Sequence, residues 1–130
     1  MSIFNFFKKD KSNEDTKVID NNKIGDEMQT IAIKLDSRKL EKANLDLIYI
    51  LPEKIEEYTN GRIEDNGYDY LSNTEIAVFL KTKTIDNAKD IIDLFNKERI
   101  CDCDLSKSAE IYVSKNANED IEKCKKIYPI

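Results

Sequence analysis

The chain has 130 residues, of which 26 are acidic and 21 basic, giving a net charge of −5, and it contains no histidine. This length fits a single domain whose core is large enough to fold without a metal or a disulfide. The negative charge argues against nucleic acid as a partner, because phosphate binding depends on Lys and Arg. The lack of histidine removes the commonest general base and metal ligand.

The N-terminal 27 residues are predicted to be a tail and linker, followed by a single α+β domain over residues 28–130. The tail begins with the sequence MSIFNFFKKDKSN, and residues 14–27 are polar and aperiodic. Its apolar stretch is too short for a signal peptide or a membrane span. Membrane contact is not expected, since the negative net charge opposes binding to anionic lipid.

The first half of the predicted domain contains two strands and a helix. Residues 30–35 alternate between apolar and polar side chains, which predicts a strand. Residues 45–51, LDLIYIL, are apolar and rich in β-formers, which predicts a central strand. Pro52 is typical of a first helical position, and Asn60 and Gly61 are typical of a left-handed helix end.

The second half of the predicted domain also contains both strands and helices. Residues 62–70 fit an irregular strand or a loop, and residues 75–83 alternate as a strand. Thr84 is a suitable N-cap for a helix whose apolar positions follow helical spacing. Residues 108–114 predict another strand. Asn118 is expected to cap a last helix, with acidic residues at its start and lysines near its end.

From residue 45 the predicted order is strand, helix, strand, strand, helix, strand. This is the split βαβ order of ferredoxin-like folds. The expected fold is therefore α+β and ferredoxin-like, with the strand at 30–35 added at the N-terminus and a helix added at the C-terminus.

The three cysteines are Cys101, Cys103 and Cys124. Their odd number, without an export signal, predicts reduced thiols in a cytoplasmic protein. A zinc site is not favoured, because Cys-x-Cys spacing without histidine does not complete a tetrahedral shell. The simpler interpretation is two loop or edge residues and one core thiol. No metal and no cofactor are predicted.

The sequence offers no recognisable catalytic group. No histidine is present to activate a cysteine, and no G-x-S-x-G or S-x-x-K frame surrounds a serine. The three glycines stand apart, so no loop resembles a phosphate-binding loop. The chain is therefore not expected to be an enzyme.

Residues 64–70, EDNGYDY, are the most distinctive surface candidate. They lack the regular acidic spacing of a calcium loop. Tyrosines anchor protein contacts and carboxylates complement a basic partner, so the segment is interpreted as a protein-binding patch. The alternative is a solvated turn whose tyrosine rings pack back onto the core. The candidate partner-binding residues are Glu64, Asp65, Tyr68, Asp69 and Tyr70.

The stretch LDLIYILPEKIEEYTNGRIEDNGYDY, continuing through TEIAVFLKT to AEIYVS, resembles small bacterial immunity proteins. These are cytosolic antidotes encoded beside polymorphic or contact-dependent toxins. The resemblance covers roughly residues 30–115 and carries over no individual functional residue. It implies a non-enzymatic inhibitor that binds one toxin domain. Two alternatives stay open, namely a regulatory or accessory binding module of a phage or mobile element, and a domain with a small-molecule pocket.

Overall fold

The structure, a computed structural model, describes residues 28–42 and 45–129. The predicted tail and linker lie outside the described residues. Within those residues the fold is α+β, as predicted, with an antiparallel sheet of five strands and three α-helices. None of the described helices is long and apolar enough to cross a membrane.

The strands pair in the order β2-β3-β1-β4-β5, so β2 and β5 form the two edges of the sheet. All four strand pairs are antiparallel. The strands are β1 (Gln29–Asp36), β2 (Ile63–Tyr70), β3 (Glu75–Thr82), β4 (Glu110–Ser114) and β5 (Lys125–Tyr128). The helices are α1 (Leu47–Tyr58), α2 (Ala88–Lys97) and α3 (Leu105–Ser108), and Ile85–Asn87 and Ile121–Lys123 are short 3-10 turns.

The prediction of a strand at residues 45–51 is wrong, because residues 47–51 form the first part of α1. Consecutive apolar residues are compatible with either a buried strand or a buried helix. In α1 the buried side chains of Leu47, Leu51 and Ile55 recur every four residues, which is helical spacing. Pro52 consequently lies inside the helix rather than at its start. Its missing N–H removes one intrahelical hydrogen bond.

The end of α1 follows the prediction. Asn60 and Gly61 adopt left-handed conformations with φ of 53° and 81°. The buried Thr59 hydroxyl donates to the Ile55 carbonyl at 2.8 Å and accepts the Ile63 N–H at 3.2 Å. These bonds connect the end of α1 directly to the start of β2, and they fix the helix beside this edge strand.

Two further expectations are corrected at the ends of the domain. The N-terminal strand is not an addition to the sheet, since β1 lies at its centre between β3 and β4. The expected C-terminal helix is absent from the described residues after Asn118, where the chain forms a 3-10 turn and then β5. Pairing with β4 gives residues 125–128 inter-strand hydrogen bonds, and this outweighs the helix-favouring charge pattern.

One core fills the space between the helices and one face of the sheet, called here the helix face. The side chains of Leu47, Val78, Ile91 and Phe95 all belong to this core. Leu47 contributes from α1 rather than from a strand. Thr84 caps the next helical segment as predicted, since its side-chain oxygen accepts the Asp86 N–H at 3.2 Å.

Candidate functional site

All five predicted partner-binding residues lie on β2, the edge strand that pairs with β3 alone. The strand is well exposed: from residue 64 to residue 70 every side chain is exposed except that of Asn66, which is half-buried. The alternative of tyrosine rings folded into the core does not hold, because Tyr68 and Tyr70 remain 41% and 58% exposed.

A β-bulge in the middle of β2 decides which way these side chains point. Asp65 pairs with Leu80 and Tyr68 pairs with Val78, so two residues of β2 stand opposite Phe79 alone. Gly67 adopts φ of 93° in the bulge, and its N–H donates to the Asp65 carboxylate at 2.9 Å. In a regular strand, residues three apart point to opposite faces. The bulge therefore brings Asp65 and Tyr68 to the same face.

The five predicted residues are consequently divided between the two faces of the sheet. Asp65, Tyr68 and Tyr70 pair with core residues of β3 and share the helix face. Glu64 and Asp69 point to the opposite face, where Glu64 lies 3.9 Å from the Lys81 ammonium. The structure thus brings together three of the predicted residues and separates the other two from them.

A residue that the sequence analysis missed, Tyr49 of α1, completes an aromatic group on the helix face. Its ring meets that of Tyr68 edge to face, with centroids 6.1 Å apart, and Tyr68 meets Tyr70 in the same manner at 5.8 Å. Tyr49 is 64% exposed. A side-chain hydrogen bond with the Tyr49 hydroxyl raises the pKa of Tyr68. Tyr49, Tyr68 and Tyr70 are called the tyrosine cluster below.

The signal for Tyr49 was present in the sequence. Once residues 47–58 are taken as a helix, Leu47, Leu51 and Ile55 define its buried stripe. Tyr49 then falls outside that stripe and is expected at the surface. The prediction of a strand at residues 45–51 did not show that Tyr49 lies on the exposed side of a helix.

An open cleft of about 710 Å³ lies beside the tyrosine cluster, between α1 and β2. Tyr49 forms part of its wall. The carboxylates that line this acidic cleft belong to Glu53, Glu56, Glu57 and Asp65. Lys54 is the basic residue in its lining, and this ammonium lies 3.5 Å from Glu98, which is not part of the cleft. Within the described residues no ion pair neutralises the three glutamates, so the cleft carries concentrated negative charge.

The opposite face of the sheet has a different electrostatic character. Lys34 lies 3.3 Å from Glu75 and 3.8 Å from Glu110, so this lysine is paired with two carboxylates. The Tyr112 hydroxyl donates to Glu110 at 2.7 Å. Burial and this bond raise the pKa of Tyr112 to about 12, while the same bond lowers the pKa of Glu110. Lys34, Glu75 and Glu110 thus have partners of opposite charge, unlike the three glutamates of the acidic cleft.

Within the described residues, the surroundings of Cys101 and Cys124 favour the protonated thiol. The buried Cys103 thiol donates to the Lys42 carbonyl at 3.2 Å. Burial raises the pKa of both Cys101 and Cys124, which disfavours the thiolate needed for nucleophilic attack. Across residues 28–42 and 45–129, no group of three or more Cys, Asp or Glu side chains is placed to hold a metal ion.

Comparisons with protein-family models, with characterised proteins and with solved structures find no match to this chain.

Proposed function

We propose that this chain is a protein-binding domain whose contact surface consists of the tyrosine cluster and the acidic cleft, and that its partner is a basic protein. The observation that carries this proposal is the adjacency of three exposed, mutually contacting tyrosines to carboxylates that no described cation neutralises. An exposed aromatic group bordered by charge is typical of protein interfaces.

The tyrosine cluster is suited to provide the binding free energy. A tyrosine buries a large area with few rotatable bonds, so its immobilisation costs little entropy. The edge-to-face contacts hold the three rings against one another before a partner arrives, which lowers that cost further. The rings are therefore the expected hot spot, and truncating one of them should mainly accelerate dissociation.

The acidic cleft is suited to select the partner and to accelerate encounter. A concave surface lined by charge of one sign focuses its field and attracts the opposite sign. The cleft thus favours Lys- and Arg-rich surfaces and repels acidic ones. This matches a partner whose own active surface is basic, as in an enzyme that acts on nucleic acid.

We further propose that the partner is a bacterial toxin domain and that the chain is its cytoplasmic, non-enzymatic immunity protein. The support is the resemblance of residues 30–115 to immunity proteins together with this acidic, aromatic surface. Blocking a basic catalytic face requires only complementary charge and buried area, and no catalytic group on the inhibitor.

A ferredoxin-like arrangement is proposed for the segment from β1 to β4. The element order β1-α1-β2-β3-α2-β4, with β3 lying between β1 and β2, supports the split βαβ pattern. In this arrangement β1 takes the place expected for residues 45–51, and β5 is the addition.

The test is co-expression with the product of the adjacent gene, followed by measurement of binding rates for matched charge reversals. Glu53 lines the acidic cleft from α1, whereas Glu122 is exposed in the turn before β5, at the opposite edge of the sheet. Glu53→Lys should lower the association rate about tenfold at low salt, because it reverses charge in the cleft. Glu122→Lys makes the same change in net charge and should have less than about a twofold effect.

Protection of the host cell by the wild-type chain, and its reduction by Glu53→Lys, would support the proposal. Equal rates for the two charge reversals would contradict the assignment of the acidic cleft. An adjacent gene product that the wild-type chain does not bind would contradict the immunity assignment and favour a regulatory binding module.

A further inference from the structure

The free edge of β2 is a second feature of the same surface. This strand has eight residues and is paired on one side only. The other edge strand, β5, has four residues. Long, exposed edge strands present unpaired backbone N–H and C=O groups that can pair with another chain. Within the described residues, no loop makes a backbone hydrogen bond to the free edge of β2.

The hydrogen-bond register shows which backbone groups face outward. The Leu71 N–H donates to the Glu75 carbonyl at 2.9 Å, and Tyr70 pairs with Ile76. Backbone groups in an antiparallel ladder alternate in direction along the strand. Leu71 and Asp69 therefore direct their N–H groups toward β3, whereas Tyr68 and Tyr70 direct theirs toward the free edge. The two tyrosines thus combine outward backbone groups with side chains in the tyrosine cluster.

The charge of β2 determines what can pair with that edge. The strand carries the carboxylates of Glu64, Asp65 and Asp69 and no basic side chain. Pairing with a second copy would bring two sets of carboxylates together, which is destabilising for directly opposed like charges. An incoming strand with Lys or Arg at alternate positions presents them to one face of the sheet, and on the helix face they would oppose Asp65. On the helix face its side chains would also reach the acidic cleft.

We propose that β2 binds an extended, basic segment of the partner protein by strand addition, through the outward backbone groups of Tyr68 and Tyr70. This proposal rests on the proposed function, since it specifies how the same surface engages its partner. Main-chain hydrogen bonds supply affinity in this binding mode, and alternate side chains supply specificity. The tyrosine cluster and the acidic cleft would provide those side-chain contacts.

The first test measures amide hydrogen exchange with a defined probe, an eight-residue peptide alternating Lys and Val. At a peptide concentration ten times its Kd, exchange at Tyr68 and Tyr70 should slow about tenfold. The Asp69 and Leu71 amides, which face β3, should change less than about twofold, because the free protein already protects them. A peptide alternating Glu and Val is the control, and it should give no protection.

The second test separates the backbone contribution of Tyr70 from that of its ring. Tyr70→Ala removes the ring, while Tyr70→Pro removes the ring and the outward N–H as well. Proline is compatible with an edge strand where the N–H faces solvent, so both variants should fold. Tyr70→Pro should bind the Lys-Val peptide at least about tenfold more weakly than Tyr70→Ala. If the proline variant unfolds, the exchange pattern of the wild-type protein decides alone.

Several outcomes would overturn strand addition. Absence of protection at Tyr68 and Tyr70, or equal affinity of the two variants, would exclude the free edge as the binding site. Protection of these amides at high protein concentration without peptide would indicate pairing with a second copy instead. If the chain neutralises a toxin but the peptide does not protect the Tyr68 and Tyr70 amides, strand addition is refuted and the immunity function is not. If the peptide protects these amides but the chain neutralises no adjacent gene product, the immunity function is refuted and strand addition is not.

Discussion

Replacing Gly67 with alanine tests whether the β-bulge controls the binding surface. Gly67 has φ of 93°, and a Cβ added there would meet no other atom within 4 Å. The cost of the substitution is therefore backbone strain without a steric clash. An L-residue in the left-handed region costs about 1–2 kcal/mol. Alanine also restricts the unfolded chain, which offsets about 0.4–1 kcal/mol of that cost. The expected net loss of stability is about 1 kcal/mol.

Urea denaturation measures this loss, and thermal unfolding should show a decrease in Tm of roughly 4–8 °C. The strain would be relieved if β2 lost its bulge, but Tyr68 would then turn to the opposite face. NMR contacts between the Tyr49 and Tyr68 rings, now 6.1 Å apart between centroids, report whether this happens. We expect the variant to weaken or lose these contacts as well as to lose stability.

Gly61→Ala is the matched control. Gly61 also has positive φ, 81°, and equal space for an added methyl group, since a Cβ there would meet no atom within 4 Å. It ends α1 and lies outside β2, so its substitution should cost a similar free energy and leave the ring contacts intact. A Gly67→Ala variant as stable as the wild-type protein, with unchanged ring contacts, would refute the role assigned to the bulge.

Two further predictions concern the stability of the domain. Phe95 is 2% exposed within the core, so Phe95→Ala should cost about 3–5 kcal/mol in urea denaturation, and a loss below about 1 kcal/mol would contradict its assigned packing. The Arg38 guanidinium donates to Asp36 at 2.7 Å and lowers the pKa of Asp36 from 3.8 to about 2. A carboxyl group whose pKa is lower in the folded than in the unfolded chain stabilises the fold while it is ionised. This contribution is fully present above pH 3.8, the pKa in the unfolded chain, and is lost as the pH falls through about 2. In Arg38→Ala, the free energy of unfolding should fall less steeply between pH 3.8 and about 2 than in the wild-type protein. An unchanged pH dependence would show that this pair does not cause the acid-induced loss of stability.

The parts of the fold that the sequence predicted correctly depend on local interactions. The alternation of β3 and the helical spacing of α2 each define one apolar face, and burial of that face needs no information about distant partners. Thr84 and the Asn60–Gly61 pair act within one helical turn, so their capping roles could also be predicted.

The predictions that were wrong concern segments whose local sequence suits either a helix or a strand. Contacts with residues distant in sequence determine which of the two forms. Residues 45–51 are apolar enough for a strand or a helix, and β1 already occupies the centre of the sheet. Residues 125–128 carry a charge pattern that suits a helix end, but the open edge of β4 supplies hydrogen bonds that favour a strand. In both cases the local preference is small, and pairing or packing between segments remote in sequence outweighs it.

The candidate site shows the same division. The acidic and aromatic character of residues 64–70 could be read from the amino-acid sequence, because side-chain chemistry does not depend on the fold. The bulge at Gly67 places Asp65 and Tyr68 on one face, and Tyr49 joins them from α1; both arrangements depend on contacts between distant segments. The register of β2 against β3 and the position of α1 are set by contacts between distant segments. A shift of one residue in that pairing would reverse every side chain that follows it.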